Sequence, residues 1–396
     1  MRSLELGNVC SLITDGTHYT PPNIGEGFPF LTVKDIDDQG SLDFDGCSKI
    51  SEVEFAKAAA GNSAPMVGDV LFSKDGTVGK VSIVRERRKF AVLSSIAILR
   101  PNLEIIEPEY LGHALKAPIS IEQALKKKTG SAIRRIILSD LKSVRLSVPS
   151  LLEQRRIVAI LDKADMLRAK RRAALANLDQ LLHSLFFDMF GDPVTNDRAW
   201  RDDVKLGDVA DIASGITKGR RTLQSVRSVP YLAVANVQDR HLKLDSIKRI
   251  EATEGEIERY RLLVNDLVLT EGGDPDKLGR GALWGGSVPE CIHQNHVFRV
   301  RVTSKNVDPI FLNWLIGSSR GKRYFLSVAK QTTGIASINM SQLKSFPLLI
   351  PPIDLQARFS AMVSTFEKWR FQFGESAKTL DHLFESLQQR AFAGKL

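Results

Sequence analysis

The chain has 396 residues, 43% of them hydrophobic and 26% charged, so it can bury two or more cores and is neither a disordered nor a low-complexity segment. Its longest apolar runs, such as Ile96 to Leu99 and Phe346 to Ile350, are far too short to cross a bilayer, and the start lacks the apolar stretch of a signal peptide; a cytoplasmic protein with no membrane partner is expected. The net charge of +9 lies mostly in the second half: residues 1–200 carry 27 Lys and Arg against 25 Asp and Glu, and residues 201–396 carry 28 against 21.

From the N-terminus, short β-branched and aromatic runs (Phe28 to Val33, Val70 to Ser73, Lys80 to Val84, Ala91 to Leu99) alternate with Gly, Pro and Asp, which predicts strands and turns. Short helices are expected at 108–117 and 120–128. Ser150 with Glu153 forms a capping-box signature, and no proline follows until Pro193, so one long helix opens here. Along it Ile157, Ala164, Arg171, Leu178 and Leu185 recur every seven residues, with Ile160, Leu167, Ala174 and Leu181 between them, the period of a coiled-coil seam. A second strand-rich stretch then follows, with short helices expected at 309–316 and 320–329. The chain closes on a second seam of Phe359, Phe366, Phe373, Leu380 and Leu387, with Met362, Trp369, Ser376 and Leu383.

The two halves echo one another. "ELGNVCSL" at 5–12 returns as "KLGDVADI" at 205–212, "FPFLTVKDI" at 28–36 as "VPYLAVANV" at 229–237, and "VGDVLFSKDG" at 67–76 as "VNDLVLTEGG" at 264–273. "TGSAIRRIILSDLKSVRLSVPS" (129–150) returns as "TGIASINMSQLKSFPLLIPP" (333–352), and "LDQLLHSLFFDMF" (178–190) as "LDHLFESLQQRAF" (380–392). Five collinear matches mean a duplication with a unit of about 200 residues. The predicted fold class is α+β: globular parts at 1–149 and 193–351, long helices at 150–192 and 352–396, and an internal pseudo-twofold repeat. Bulky Phe366, Trp369 and Phe373 facing small Ala164 and Ala174, together with the short return path of the second globular part, predict an antiparallel coiled coil and a dumbbell-shaped molecule. The residues expected to pack that pair are Ile157, Ile160, Ala164, Leu167, Leu178, Leu181, Leu185, Phe359, Met362, Phe366, Trp369, Phe373, Leu380, Leu383 and Leu387.

Two related, divergent heads suit a target with two similar, non-identical parts at fixed separation, and double-stranded DNA supplies one. Between Ser120 and Arg156 stand Lys126, Lys127, Lys128, Arg134, Arg135, Lys142, Arg145, Arg155 and Arg156 against Glu122, Asp140 and Glu153. "KKKTGSAIRR" places cations around a turn as a phosphate clamp does, with Arg134 or Arg135 available for guanine. In the second half Lys218, Arg220, Arg221, Lys330, Gln331 and Thr332 are the DNA-binding candidates, with Gln294 and Asn295 as adenine readers.

Catalytic constellations are missing from the sequence. "DGTVGK" at 75–80 has Lys74 where a phosphate loop needs its first glycine and Val81 where it needs Ser or Thr. His293 and His296, three apart in a strand-like run, point to opposite faces, which argues against a metal pair. Cys10, Cys47 and Cys291 form no CxxC, which argues against structural zinc and a disulfide framework. No catalytic, cofactor-binding or metal-binding residue is assigned.

In this order the motifs "DGTVGK", "QNHVFRV" (294–300), "TGIASINMSQLKSFPLLIPP", "EQRRIVAILDKAD" (153–165), "MFGDP" (189–193) and "LFESLQQRAFAGKL" (383–396) make the whole chain resemble the specificity subunit of type I restriction-modification systems. It departs from that pattern at "VPSLLEQ", where the family often has a double proline, and at Leu355 in place of the usual Glu. The resemblance implies that the globular parts are target recognition domains reading a bipartite, asymmetric sequence, with the helices as spacer. It implies a non-catalytic scaffold for two modification subunits, which carry S-adenosylmethionine and adenine-N6 methyl transfer, and for restriction subunits driven by ATP and Mg; Arg168, Arg172, Lys368 and Lys378 on the helices are the expected docking contacts. The alternative is a free-standing sequence-specific DNA-binding regulator; an enzyme with an unrecognised site is the third reading.

Overall fold

The computed structural model describes residues 2–125, 136–219, 224–332 and 334–396. Two compact units are present, one made of Met1–Ala173 with Glu375–Leu396 and the other of Ala174–Gly374.

The first unit runs β1 (Arg2–Glu5), α1 (Leu6–Val9), β2 (Cys10–Asp15), β3 (Phe28–Leu31), β4 (Ser48–Ile50), α2 (Glu52–Ala60), β5 (Val70–Ser73), β6 (Val81–Ile83), β7 (Ala91–Val92), β8 (Ile96–Pro101), α3 (Pro108–Lys116), α4 (Pro118–Leu125), α5 (Leu138–Lys142), β9 (Arg145–Val148) and the start of α6 (Leu151–Phe190). The second runs α7 (Leu206–Val209), β10 (Ala210–Ser214), β11 (Arg227–Leu232), β12 (Lys248–Ala252), α8 (Glu254–Tyr260), β13 (Leu267–Thr270), β14 (Gly272–Gly273), β15 (Gly281–Leu283), β16 (Ile292–His293), β17 (Val297–Val302), α9 (Pro309–Ile316), α10 (Ser319–Val328), β18 (Lys330–Thr332), β19 (Ile335–Ser337), α11 (Met340–Lys344) and the start of α12 (Ile353–Phe392). The fold class is α+β, and two sheets of each unit repeat, while among the described residues the first unit adds the β1-β9 pair and the second the β14-β19-β18 sheet. Strand order β2-β8-β5-β6 repeats as β10-β17-β13-β15, and β4-β3-β7 as β12-β11-β16.

The same local chemistry builds both copies. The central strands VLFS (70–73) and LVLT (267–270) are buried along their whole length, so no polar face is needed. Each is preceded by a buried aspartate gripped by an arginine from the neighbouring strand. Asp69 receives Arg100 Nε at 2.9 Å and Nη2 at 2.8 Å, and Asp266 receives the same atoms of Arg301 at 2.7 Å each. The backbone N–H groups of Met66 and Leu263 complete the two carboxylates. Only glycine fits at the exit of β2 and β10: a Cβ on Gly16 would lie 2.2 Å from the Val92 carbonyl oxygen, and one on Gly215 1.9 Å from that of His293.

Each long helix is anchored at its first turn by a fully buried glutamine. Gln154 accepts the N–H of Glu107 (2.9 Å) and donates to the carbonyls of Ile105 (2.8 Å) and Pro149 (3.0 Å). Gln356 does the same with Asp308 N (2.9 Å), Asn306 O (3.1 Å) and Pro351 O (2.8 Å). At the start of α6 the expected Ser150 cap is present, its hydroxyl accepting from Glu153 N at 3.4 Å.

Within each unit the two helices run antiparallel. In the first, Arg156 reaches the Leu396 carbonyl at 2.7 Å, while Arg168 and Arg172 reach Asp381 at 2.6 and 3.0 Å. In the second, Arg370 lies 3.5 Å from Asp179, and Phe186 and Phe190 pack on Phe359 with centroids 5.5 and 5.4 Å apart. Ile157 and Phe359 are fully buried, and Ile160, Ala164, Leu178, Leu185, Met362, Phe366, Phe373, Leu380 and Leu387 are partly covered. Leu167, Leu181, Trp369 and Leu383 are 44%, 54%, 43% and 50% exposed. The inward rows instead pass through Leu161, Arg168 and Leu182 and through Val363, Arg370 and Phe384, four residues rather than three after the first set. Arg168, expected on an outer docking face, is thus drawn inward: its guanidinium lies 4.2 Å from the centroid of Phe384. Hydrogen bonding from Arg168 holds the Asp381 carboxyl below its ordinary range.

Candidate nucleic-acid interface

In the second unit one edge gathers the ends of several strands. β10 stops at Ser214, whose hydroxyl donates to the Asn295 carbonyl at 2.7 Å. Asn295 lies in the turn between β16 and β17, and its side-chain amide is 3.3 Å from His296 Nε2. His296 Nδ1 is in turn 2.5 Å from a carboxylate oxygen of Glu271, the residue that follows β13. This chain fixes one tautomer, in which Nδ1–H donates to Glu271 and Nε2 accepts from Asn295. Backbone bonds from Glu271 N to His296 O (3.0 Å) and from Ile338 N to Glu271 O (2.9 Å) hold the strand ends together. His296 is 56% and Glu271 32% exposed, so the polar row faces water.

Directly beyond Glu271, β14 pairs with β19, and β19 with β18, in the register Gly273 to Ala336 to Gln331. That pairing presents exposed Lys330 and Gln331 on the hairpin beside the Glu271 strand end; Gln331 donates to Leu326 O at 3.4 Å. Gln294 and Asn295 are partly exposed in the adjacent turn, and exposed Lys218 lies 5.1 Å over the Tyr231 ring. For Thr332 only the strand backbone is described, and Arg220 and Arg221 fall outside the described residues.

The arrangement offers the side-chain types that read base edges: amides for adenine, a carboxylate for the cytosine amino group, and lysines for phosphates. Glu271 and His296 were missed as candidates from sequence, although both sit in the repeated motifs "VNDLVLTEGG" and "QNHVFRV". Their signal is a place at the end of a buried strand, Glu271 directly after β13 and His296 directly before β17, where a polar side chain emerges.

The same place in the first unit is built differently. There Lys74, 2% exposed, lies 3.3 Å from Asp15, and its backbone bonds Ser95 O at 2.9 Å and receives Ile136 N at 2.7 Å. A hollow of about 340 Å³ beside them is lined by His18, Tyr19, Lys57 and Ser63. Tyr19 is 47% exposed and bonds Glu54, which also pairs with Lys57 at 2.7 Å. Lys126, Lys127, Lys128, Arg134 and Arg135 lie outside the described residues.

Three other groups carry no reactive role by their surroundings. Burial pushes the thiols of Cys10 and Cys291 up to about 12, far from a thiolate at neutral pH. His293 is wholly buried, donates from Nδ1 to Val297 O at 2.6 Å, and is held down to about 4 by burial, so it is neutral. Among the described residues no group of three or more His, Cys, Asp or Glu is placed to hold a metal ion, and no helix is long and apolar enough to cross a membrane.

The family model for the type I restriction modification DNA specificity domain matches the chain twice, at residues 2–177 and 199–378. The EcoKI specificity subunit of Escherichia coli K12 is 24% identical over 322 residues, 76% of this chain and 68% of that one. The StySPI specificity subunit of Salmonella potsdam is 23% identical over 320 residues, 75% and 67% of the two chains. A putative specificity subunit, MjaX of Methanocaldococcus jannaschii, is 21% identical over 194 residues, so the match spans less than half of its length (46%). In fold, the chain resembles one solved in a study of complex assembly and conformational transition of the type I R-M system (TM-score 0.60, 17% identity, covering 100% and 98%). It also resembles the type I S subunit of M. genitalium (TM-score 0.55, 14% identity, covering 99% and 96%).

Proposed function

Because this chain belongs to the type I restriction-modification DNA specificity family, we propose that it is the sequence-reading subunit of such a system, one unit for each half of a bipartite, asymmetric DNA target. The observation that carries the reading is the family match falling once on each of two units with the same sheet order and different polar edges. A duplicated frame with divergent edges recognises two unlike half-sites. The chain is non-catalytic and gives the address. Methyl transfer to adenine N6, with S-adenosylmethionine, belongs to two modification subunits, and cleavage, with ATP and Mg, to restriction subunits.

In the second unit Gln294, Asn295, Gln331 and Glu271 read bases, while Lys218, Arg220, Arg221, Lys330 and Thr332 position the duplex through phosphates. In the first, Lys126, Lys127 and Lys128 hold phosphates, and Arg134 and Arg135 reach base edges. The helix pair packed through Ile157, Ala164, Leu178, Phe359, Phe366 and Leu380 joins the two readers.

The test is an exchange of residues 1–149 for the matching part of another family member, followed by methylome sequencing of the host. One half of the methylated sequence changes and the other persists. A change in both halves, or methylation that ignores the exchange, overturns the assignment. Gln331→Ala relaxes one base position in the second half-site, whereas Lys330→Ala weakens binding at all sequences and makes it less salt-dependent.

A further inference from the structure

Backbone bonds put the turn before β17 and the turn before β8 in the same place in their units. Asn295 N–H donates to the Ile216 carbonyl at 3.0 Å as Ser94 N–H does to that of Thr17 at 2.8 Å. Glu271 N–H meets the His296 carbonyl as Lys74 N–H meets that of Ser95. The side chains hung on this shared frame differ: the first unit has Ser94, Ser95 and Lys74, and the second has Asn295, His296 and Glu271.

In the second unit these three side chains form a relay whose polarity is set at one end. An ionised carboxylate only accepts, so Glu271 takes the Nδ1–H of His296 at 2.5 Å. The neutral imidazole then offers a lone pair at Nε2, and the amide nitrogen of Asn295 lies there, at 3.3 Å. One amide hydrogen of Asn295 is thus spent on the ring. The carbonyl oxygen and the second amide hydrogen remain, an acceptor beside a donor. The main chain of Asn295 is held on both sides, its N–H by the Ile216 carbonyl and its own carbonyl by the Ser214 hydroxyl at 2.7 Å, so the amide is oriented before a ligand arrives.

We propose that Asn295 reads one adenine of the second half-site and that His296 is the positioning residue that sets its amide for adenine. The inference rests on the functional reading above, because it takes DNA as the ligand of this edge. In the major groove adenine shows an acceptor, N7, beside a donor, the N6 amino group, whereas guanine shows two acceptors, N7 and O6. An amide presenting its oxygen and one hydrogen matches adenine and is repelled by guanine O6. A donor at the place of Nε2 turns the amide round: its oxygen then faces that donor, and its amino group faces the base and matches guanine. The choice between the two purines therefore lies in the neighbour of the reader. The first unit has serines at both places, and a hydroxyl, donor and acceptor in one group, serves either purine.

The test uses the full chain assembled with its modification subunits and duplexes that vary one base at a time in the second half-site. Guanine or 7-deazaadenine in place of one adenine weakens binding about tenfold. Asn295→Ala removes that penalty at this position and leaves the preferences at the other positions unaltered. His296→Lys, which puts a permanent donor beside the amide and keeps a partner for Glu271, shifts the preference at the same position from adenine to guanine. His296→Gln, which accepts from Asn295 and donates to Glu271, keeps adenine, so the shift comes from the donor and not from loss of the ring. If Asn295→Ala leaves every base preference as it was, or His296→Lys weakens all sequences equally, the inference is overturned and the functional reading stands. Binding by the unsubstituted complex that ignores the second half-site overturns both.

Discussion

Set side by side, the two units agree where the chain is buried and disagree where it is wet. Asp69–Arg100 recurs as Asp266–Arg301, and Gln154 recurs as Gln356, each with the same atoms making the same bonds. At the strand ends, by contrast, the first unit has a buried Lys74–Asp15 pair where the second has a solvent-exposed Glu271–His296–Asn295 row. The difference teaches that packing and buried polar satisfaction constrain the duplicated frame, while the edges are free to specialise.

Three measurements break or sharpen that comparison. The largest effect is expected at the matched buried aspartates: Asp69→Ala or Asp266→Ala leaves an arginine and a backbone N–H unpaired and costs about 3–5 kcal/mol. Hydrogen exchange locates the loss in the mutated unit for each variant, and equal losses sustain the equivalence. A much smaller effect in one unit would break it.

Next comes a contrast in acid. His293, with its folded value near 4 against 6.5 for the free side chain, stays neutral in the fold while the unfolded chain protonates. Stability is therefore complete above pH 6.5 and falls as pH drops toward 4, by about 3 kcal/mol over that window. Val92 holds this place in the first unit, so exchange in acid loosens the second unit first; His293→Val removes the asymmetry. Equal acid sensitivity in both units would contradict the assignment.

The smallest effect separates the two charge pairs of the helices. Asp381 accepts from both Arg168 and Arg172, whereas Asp179 lies 3.5 Å from one arginine, Arg370, among the described residues. Double-mutant cycles are expected to give about 1 kcal/mol for Arg168–Asp381 and about half that or less for Arg370–Asp179, both screened by salt. The reverse order would mean that the second pair tightens in solution.

The repeat, the α+β class and the two long helices were legible because they are carried by strings of apolar residues and by caps. The heptad period puts the second row of α6 at Ile160, Leu167 and Leu181, three residues on, whereas burial falls at Leu161, Arg168 and Leu182. An arginine in that row breaks the apolar pattern, and only the geometry shows its stem covered and its head on Phe384. At the candidate interface Gln294, Asn295 and Gln331 were legible by residue type. Glu271 and His296 were not, since a carboxylate argues against DNA contact and only the geometry joins it to His296 and Asn295 in one polar row.

The glutamine at the root of each long helix has one more implication. Gln154 holds only main-chain groups, those of Ile105, Glu107 and Pro149. Such a socket is blind to side chains, and any head whose backbone follows the same path will seat in it. Recombination can therefore trade readers between relatives without redesigning the stalk, and new addresses arise by exchange rather than by slow repair of a joint.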